Sequence, residues 1–305
     1  MKVLVATEKP FAKKAIDGIR EIVEKAGGEL VLLEKYTETA QFLAAVADVD
    51  ALIVRSDKVT AEVVAAAKNL KIVVRAGAGF DNLDLKALSE HNVVAMNTPG
   101  QNSNAVAELA LGLMVFMARN QYTPGTGCEL KGKRLGIQAY GNVGRLVAEH
   151  ARAFGMEIWA FDPFVPKEKM EAEGVHVVEK LEDLYTNCDY ISLHIPANDQ
   201  TKNSINYELL NHMPKGGCLV NTARKEVINE ADMERLLADR PDMKYVTDIA
   251  PANAAVLKEK FGNRFFATPK KMGAETAEAN INAGLAAANQ IVGYLVNGID
   301  KFRLN

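Results

Sequence analysis

The sequence predicts an α/β protein built from two doubly wound parallel sheets. Short β-rich runs alternate with longer helical patterns along most of the chain, a rhythm typical of parallel strands joined by crossover helices. The chain has 305 residues, which fits two domains at about 150 residues each. Hydrophobic residues make up 48% and charged residues 25%, a globular mix that excludes a disordered or fibrous protein.

Charge and cysteine content narrow the function classes. The 36 basic and 39 acidic residues give a net charge of −3, which argues against a nucleic-acid or membrane-surface partner. The three cysteines, Cys128, Cys188 and Cys218, lie far apart, so we expect neither a metal site nor a disulfide framework. The longest apolar stretch, 109–118, is shorter than the roughly 18 residues of a membrane span. We expect a cytoplasmic protein, because the N-terminus also lacks a signal-peptide pattern.

The first half of the chain predicts one five-stranded sheet. Its strands are expected at 2–6, 29–33, 51–55, 71–75 and 93–96. The helices between them are expected at 11–26, 38–47, 60–68 and 84–90. Thr60 and Asp84 are small polar residues at the start of two of these stretches, so they are predicted N-caps.

A second sheet is predicted after an apolar helix at 102–119 and a turn-rich linker at 122–127. Its strands are expected at 134–139, 156–161, 175–178, 190–195, 218–222, 244–249 and 264–268. Its helices are expected at 142–154, 181–187, 206–212 and 230–239, and a long alanine-rich helix follows at about 275–297.

A glycine pattern at the start of the second sheet predicts a dinucleotide site. Gly141 and Gly144 open a helix immediately after a strand, in a near match to GxGxxG, with Ala139 in the place of the first glycine. The free N–H groups of such a helix start bind a pyrophosphate. Asp162 ends the next strand 18 residues after Gly144, close to the usual spacing of the carboxylate that contacts the adenosine ribose. Because this carboxylate would repel a 2′-phosphate, the predicted cofactor is NAD rather than NADP.

Several long motifs in a fixed order resemble those of the D-2-hydroxyacid dehydrogenase family, and within it the short, NAD-dependent, lysine-bearing phosphoglycerate dehydrogenases. They are VRSDKVT (54–60), RAGAGFDNLDL (75–85), NTPGQNSNAVAEL (97–109), FDPF (161–164), SLHIP (192–196), NTARKEVINE (221–230) and TDIAP (247–251). The resemblance implies a flavodoxin-like substrate domain, 1–98 plus 273–305, and an inserted Rossmann NAD-binding domain, 99–272. It also implies an active site in the cleft between them.

The resemblance also assigns site residues. The implied catalytic residues are Arg224 and Lys271. The implied cofactor contacts are Gly141, Asn142, Val143, Gly144, Asp162, His194, Ile195, Pro196, Thr222, Ala223, Arg224, Asp248 and Gly273. The implied substrate contacts are Arg55, Ser56, Arg75, Gly77, Asn102, Arg224 and Lys271.

The substrate is inferred from the arginines. Arg224 has the residue type needed to grip a carboxylate bidentately and to stabilise charge on the C2 oxygen. Arg55 and Arg75, at two strand ends, are more positive charges than a simple hydroxy acid needs, and a phosphorylated substrate explains them. We therefore expect oxidation of 3-phosphoglycerate to 3-phosphohydroxypyruvate, the first step of serine synthesis. The alternatives are a reductase of glyoxylate, hydroxypyruvate or D-lactate, and an NAD-sensing protein without catalysis.

The sequence departs from the family at the catalytic pair. Most members pair a glutamate with a histidine, whereas the glutamate position here is Asn253 and the histidine position is Lys271, or Lys270 if counted forward from Pro269. A lysine is protonated without help from a carboxylate, so the two changes make sense together. We expect the lysine to take the C2 hydroxyl proton, with His194 as the reserve candidate.

The sequence also supports expectations about assembly and regulation. The apolar helix at 102–119 predicts a homodimer. The segment 120–133 is short relative to many members of the family, which puts a cross-subunit substrate contact in doubt. The chain ends after the last helix, so we do not expect inhibition by serine through a regulatory domain.

Overall fold

Twelve parallel strands alternate with helices in the computed structural model, which describes all residues 1–305. The strands are β1 (Lys2–Thr7), β2 (Glu29–Glu34), β3 (Ala51–Val54), β4 (Ile72–Arg75), β5 (Val94–Asn97), β6 (Arg134–Gln138), β7 (Glu157–Phe161), β8 (His176–Val177), β9 (Tyr190–Leu193), β10 (Cys218–Asn221), β11 (Lys244–Thr247) and β12 (Phe265–Ala267).

Twelve α-helices connect or follow these strands. They are α1 (Lys13–Lys25), α2 (Thr39–Val46), α3 (Ala61–Ala66), α4 (Leu85–Glu90), α5 (Ser103–Ala118), α6 (Asn142–Ala153), α7 (Lys167–Ala172), α8 (Leu181–Asn187), α9 (Tyr207–Asn211), α10 (Glu230–Asp239), α11 (Ala254–Phe261) and α12 (Ala277–Asn297). None of these helices is long and apolar enough to cross a membrane.

The chain divides into two compact units. The first unit consists of Met1–Asn102 together with Glu275–Asn305, and the second unit is Ser103–Ala274. The second unit is therefore inserted into the first. The assignment of one unit to substrate and the other to NAD stays a prediction.

The first unit contains a five-stranded parallel sheet in the order β2-β1-β3-β4-β5. Crossover helices cover both faces of the sheet, and each face carries its own cluster of buried side chains. On one face, Ile19 and Val23 of α1 pack in the same cluster as Ala287 and Ile291 of α12. The last helix of the chain thus completes the core of the first unit.

Polar residues fix where the helices of the first unit begin. The predicted caps are confirmed, since Thr60 accepts a hydrogen bond from the N–H of Val63 at 3.5 Å and Asp84 accepts one from Ala87 at 2.9 Å. The sequence did not single out Thr276, which caps α12 in the same way. These caps satisfy N–H groups that have no partner within the helix.

The second unit contains a seven-stranded parallel sheet in the order β12-β11-β10-β9-β6-β7-β8. The strand order reverses at β6: β7 and β8 extend the sheet on one side of β6, and β9 to β12 extend it on the other. In doubly wound sheets, ligands bind beyond the carboxyl ends of the strands at such a point. The predicted class of two parallel wound sheets is confirmed.

Two short helices and one strand differ from the prediction. Helices α7 and α11 were not predicted, because each buries a single side chain, Met170 and Leu257, and so shows no helical periodicity. The strand predicted at 175–178 has two paired residues, which lie at the sheet edge beside β7. Short edge elements leave little hydrophobic pattern in a sequence.

Candidate active site

The turn between β6 and α6 lies where the sequence predicts a dinucleotide-binding loop. Ala139 adopts a φ of 76°, in the left-handed region that favours glycine, so the residue that replaces the first glycine keeps the glycine conformation at some cost in strain. A Cβ on Gly144 would lie 2.3 Å from the carbonyl oxygen of Ala139. The glycine at 144 is therefore required for the helix to pack against the strand.

Gly141 has no such structural reason. Its φ is −82°, which any residue adopts, and a Cβ built on it would meet nothing within 4 Å. It stands at the start of α6, where no side chain caps the helix. Open space in front of uncapped N–H groups at the positive end of a helix fits the pyrophosphate of NAD. The residues present thus fit this part of the cofactor.

Asp162 lies directly beside this turn. One carboxylate oxygen accepts a hydrogen bond from the N–H of Tyr140 at 2.7 Å and the other accepts one from the N–H of Phe164 at 2.8 Å. The carboxylate is thereby held at the end of β7, and each oxygen keeps a lone pair for a further donor. This arrangement fits a ribose hydroxyl pair and opposes a 2′-phosphate.

Two further loops leave the carboxyl ends of β9 and β10. His194 is half-buried, its ring nitrogen Nε2 lies 3.0 Å from the hydroxyl oxygen of Ser192, and desolvation lowers the pKa of His194 to about 3. An imidazole that stays neutral at working pH is a poor proton carrier, which argues against the reserve role. Ile195 and Pro196 follow it in the same loop.

The loop after β10 carries Thr222, Ala223 and Arg224. The side chain of Asn221 spans this loop, because its oxygen accepts from the N–H of Ala223 at 3.0 Å and its amide donates to the carbonyl of Arg224 at 2.9 Å. Asn221 is fully buried. Sequence reasoning passed over it, although an amide side chain three residues before Arg224, at the end of a strand, was a usable signal. The buried hydroxyl of Thr222 has no protein partner, which leaves it available to a ligand.

The segment after β12 carries both candidate lysines. Lys270 and Lys271 are exposed, and Asp248, buried at the end of β11, bonds to residues on both sides of them. Asn253, in the family's glutamate position, donates to a carboxylate oxygen of Glu234 at 3.3 Å and so contacts α10. It stays a prediction that Asn253 replaces the family's glutamate so that no carboxylate lies beside the proton-transfer lysine.

In the first unit, Arg55 and Arg75 stand at neighbouring strand ends. The Nε of Arg75 donates to the carbonyl oxygen of Arg55 at 3.0 Å, and the Arg55 guanidinium lies over the ring of Phe11 and bonds to Lys9 and Asn280. Gly77 has a φ of 148°, and a Cβ there would overlap the guanidinium of Arg75. Gly77 is thus needed for the position of Arg75.

The exposed Ser56 lies between Arg55 and the buried Asp57. Asp57 accepts from the N–H of Glu8 at 2.8 Å and from the hydroxyl of Tyr36 at 2.9 Å, which fixes this loop. Sequence reasoning missed Asp57, although a carboxylate so close to a strand end is a recurrent sign of loop anchoring. Asn102, the remaining predicted substrate contact, is half-buried at the end of the first segment of this unit.

Comparisons with known proteins agree with this reading. Residues 111–269 match the model of the D-isomer specific 2-hydroxyacid dehydrogenase NAD-binding domain. A hydroxypyruvate reductase of Thermotoga maritima is 36% identical over 281 residues, which cover 86% of this chain and 90% of that protein. A D-3-phosphoglycerate dehydrogenase of Methanocaldococcus jannaschii is 34% identical over 95% of this chain, but the chain spans 57% of that relative's length.

The fold of the whole chain also has a solved counterpart. The crystal structure of NAD⁺-bound 3-phosphoglycerate dehydrogenase from Entamoeba histolytica is 49% identical in sequence and superposes with a TM-score of 0.90, covering 100% of this chain and 98% of that one. Family model, relatives and structure all point to one group of proteins. The chain therefore belongs to the D-isomer specific 2-hydroxyacid dehydrogenase family, and the residues that match the family's NAD-binding domain model, 111–269, lie within its second unit.

Proposed function

We propose that this chain is an NAD-dependent dehydrogenase that oxidises 3-phospho-D-glycerate to 3-phosphohydroxypyruvate, the first step of serine synthesis. The observation that carries the proposal is the likeness, at 49% identity over the whole chain, to a 3-phosphoglycerate dehydrogenase crystallised with NAD⁺. The D-3-phosphoglycerate dehydrogenase of M. jannaschii supports it over the 57% of that protein's length that this chain spans.

Two arginines support a phosphorylated substrate. Arg55 and Arg75 are linked through the Arg55 carbonyl, and their positions are fixed by Gly77 and Asn280. Planar guanidinium groups bind phosphate oxygens in pairs, and their charge persists at every working pH. We infer that these side chains, with Ser56 and Asn102, bind the phosphate side of the substrate.

The second unit would supply the chemistry. The amides at the start of α6 and Asp162 would hold NAD, which when bound supplies the acceptor for hydride. Arg224 would bind the substrate carboxylate and stabilise the negative charge that develops on the C2 oxygen. Lys271 would take the proton from the C2 hydroxyl in oxidation and return it in reduction. The proposed contacts of the nicotinamide end of NAD are Thr222, Ala223 and Asp248. Other proposed contacts of NAD are His194, Ile195, Pro196 and Gly273.

A spectrophotometric assay of NADH oxidation tests the substrate. We expect turnover with 3-phosphohydroxypyruvate and weak turnover with glyoxylate. Arg55→Gln and Arg75→Gln should each raise KM for phosphohydroxypyruvate by about 10-fold to 100-fold, the loss of one charge-assisted contact, and leave glyoxylate kinetics unchanged. Arg20→Gln, on the exposed face of α1, is the matched control. Equal effects on both substrates would contradict phosphate binding by these arginines.

The choice of lysine is tested by a matched pair of variants. Lys271→Ala should lower kcat by about 100-fold or more, which is the usual contribution of a general acid or base, while Lys270→Ala should retain most activity. The reverse result would move the proton-transfer role to Lys270. Unchanged turnover and an unshifted pH profile in both variants would refute a lysine mechanism.

A second candidate function is reduction of unphosphorylated hydroxypyruvate. The T. maritima hydroxypyruvate reductase favours it, because this chain covers 90% of that protein's length. The same assay decides between the two, since a hydroxypyruvate reductase would have a higher kcat/KM for the unphosphorylated acid and would tolerate loss of Arg55.

We also propose a homodimer that works in the cytoplasm. Helix α5 buries nine of its residues, seven of them in one core cluster of the second unit. It leaves Leu109, Val115 and Phe116 half-buried, and the ring of Phe116 contacts the exposed Tyr122. This apolar surface would form the contact between two copies. Sedimentation equilibrium should give twice the 33.2 kDa chain mass, and a monomer at micromolar concentration would refute the dimer.

A further inference from the structure

Asp248 has contacts that its predicted role as a cofactor contact does not explain. Its side chain is fully buried at the end of β11. One carboxylate oxygen accepts from the N–H of Met272 at 2.7 Å and lies 3.1 Å from the hydroxyl of Thr268, and the other accepts from the N–H of Gly273 at 2.7 Å. All three partners belong to one loop.

These contacts close the loop 268–273 into a ring. Thr268 also bonds within the loop, with its hydroxyl 2.8 Å from the carbonyl oxygen of Lys270 and 2.7 Å from that of Asp248. Hydrogen bonds between N–H groups and a carboxylate are about twice as strong as neutral ones, and burial strengthens them further. Both ends of the ring are therefore held, and Lys270 and Lys271 occupy its exposed turn.

The surroundings of Gly273 show how closely the loop backbone approaches the Asp248 carboxylate. A Cβ on Gly273 would lie 2.9 Å from the bonded oxygen of Asp248 and 3.3 Å from a methyl carbon of Val106. A side chain at 273 would push the N–H away from the carboxylate. The glycine thus has a local reason that involves no cofactor.

We propose that Asp248 is a positioning residue, whose carboxylate holds the loop 268–273 so that Lys271 is presented for proton transfer. This inference rests on the proposed function of Lys271. Asp248 would act through the loop amides, and a direct contact with the nicotinamide would be secondary to this role.

The first test needs no activity. Asp248→Asn keeps one oxygen acceptor but points an amide N–H₂ at a backbone N–H, so one bond is lost and two donors face each other. Hydrogen exchange followed by mass spectrometry should give at least 10-fold faster exchange in peptides that contain Met272 and Gly273, with β11 unchanged. Asp242→Asn is the matched control, because Asp242 anchors a different loop through Gly216 at 2.8 Å. Unchanged exchange at 272–273 would overturn the proposal.

The second test separates positioning from cofactor binding. Asp248→Asn should lower kcat at least 10-fold with 3-phosphohydroxypyruvate, change the dissociation constant for NADH less than 2-fold, and add no further loss in a Lys271→Ala background. A weakened NADH affinity with an unchanged kcat would overturn the proposal in favour of a cofactor contact.

The proposal can still be tested if Asp248→Asn does not fold or if the wild-type protein does not act on the proposed substrate. If Asp248→Asn does not fold, Thr268→Val removes one hydroxyl from the same ring, and we expect the same pattern with smaller changes; no change in exchange or kcat would overturn the proposal. If the wild-type enzyme does not reduce phosphohydroxypyruvate, the proposed function fails, while the exchange measurement still decides whether Asp248 holds the loop.

Discussion

Gly141 and Gly144 stand three residues apart in the same turn, and the structure predicts opposite consequences for the same substitution. Gly144→Ala places a methyl 2.3 Å from a backbone oxygen and 3.0 Å from Ile137, so the strand and helix must separate. Gly141→Ala meets nothing within 4 Å and keeps an ordinary φ of −82°. The first change should damage the fold, and the second should damage NAD binding.

The magnitudes follow from these contacts. Gly144→Ala should lower the free energy of unfolding by about 1 to 3 kcal/mol, the usual cost of an overpacked site, and by more if the backbone resists. For Gly141→Ala, the poorer helix cap costs about 0.5 kcal/mol or more and the reduced freedom of the unfolded chain offsets about as much, so stability should change little. Its methyl would lengthen the bonds from the helix amides to the pyrophosphate, and we expect about 10-fold to 100-fold weaker NADH binding, or about 1.4 to 2.7 kcal/mol.

Two measurements check this pair. Urea unfolding gives the stability of each variant, and NADH fluorescence titration gives the dissociation constant. The reasoning is refuted if Gly141→Ala binds NADH as wild type does, or if Gly144→Ala unfolds at the wild-type midpoint. Loss of folding in both variants would also refute the reasoning, because only Gly144→Ala is expected to destabilise the fold.

Three further predictions come from single residues. Ala139→Gly should raise the free energy of unfolding by about 0.5 to 1 kcal/mol in the same urea assay, because glycine removes the left-handed strain at φ 76°. The pKa of His194 is lowered to about 3 from 6.5, so between these pH values the unfolded chain binds a proton that the folded protein does not. The free energy of unfolding should therefore be unaffected by His194 above pH 6.5 and fall by up to about 1.4 kcal/mol per pH unit as the pH drops from 6.5 toward 3. His194→Gln should flatten this dependence in urea unfolding measured across that range. Asp162→Ser should reduce the preference for NADH over NADPH by about 10-fold or more in kcat/KM, since the charge that repels the 2′-phosphate is gone; an unchanged preference would contradict that role.

The elements that bury a regular face were predictable from the sequence. Buried parallel strands such as Ala51–Val54 read as continuous apolar runs, and the caps Thr60 and Asp84 mark helix starts through their residue types. Helices α7 and α11 escaped because they bury one side chain each. Periodicity identifies an element only when several of its residues face the core.

The residues proposed to bind ligands were easier to identify from the sequence than the residues that hold their loops in place. Arg55, Arg224 and Asp162 carry charges at strand ends, and this is visible in a sequence. Asp57 bonds to Glu8, 49 positions away in the sequence, and Asn221 bonds across a backbone turn, so the sequence does not show which groups these side chains contact. Asp248 was identified by resemblance as a cofactor contact, and its bonds to Met272 and Gly273 became visible only in three dimensions.

The insertion of one unit into the other affects how the protein is made. The core around α1 includes Ala283, Ala287 and Ile291, which are translated after the whole of the second unit. At the usual rate of synthesis, about 5 to 20 residues per second, roughly 10 to 40 s separate residue 102 from residue 291. During this interval the nascent first unit exposes the apolar surface of its sheet, while the inserted unit can already fold. Chaperone dependence should therefore concentrate on residues 1–102, which leave the ribosome first.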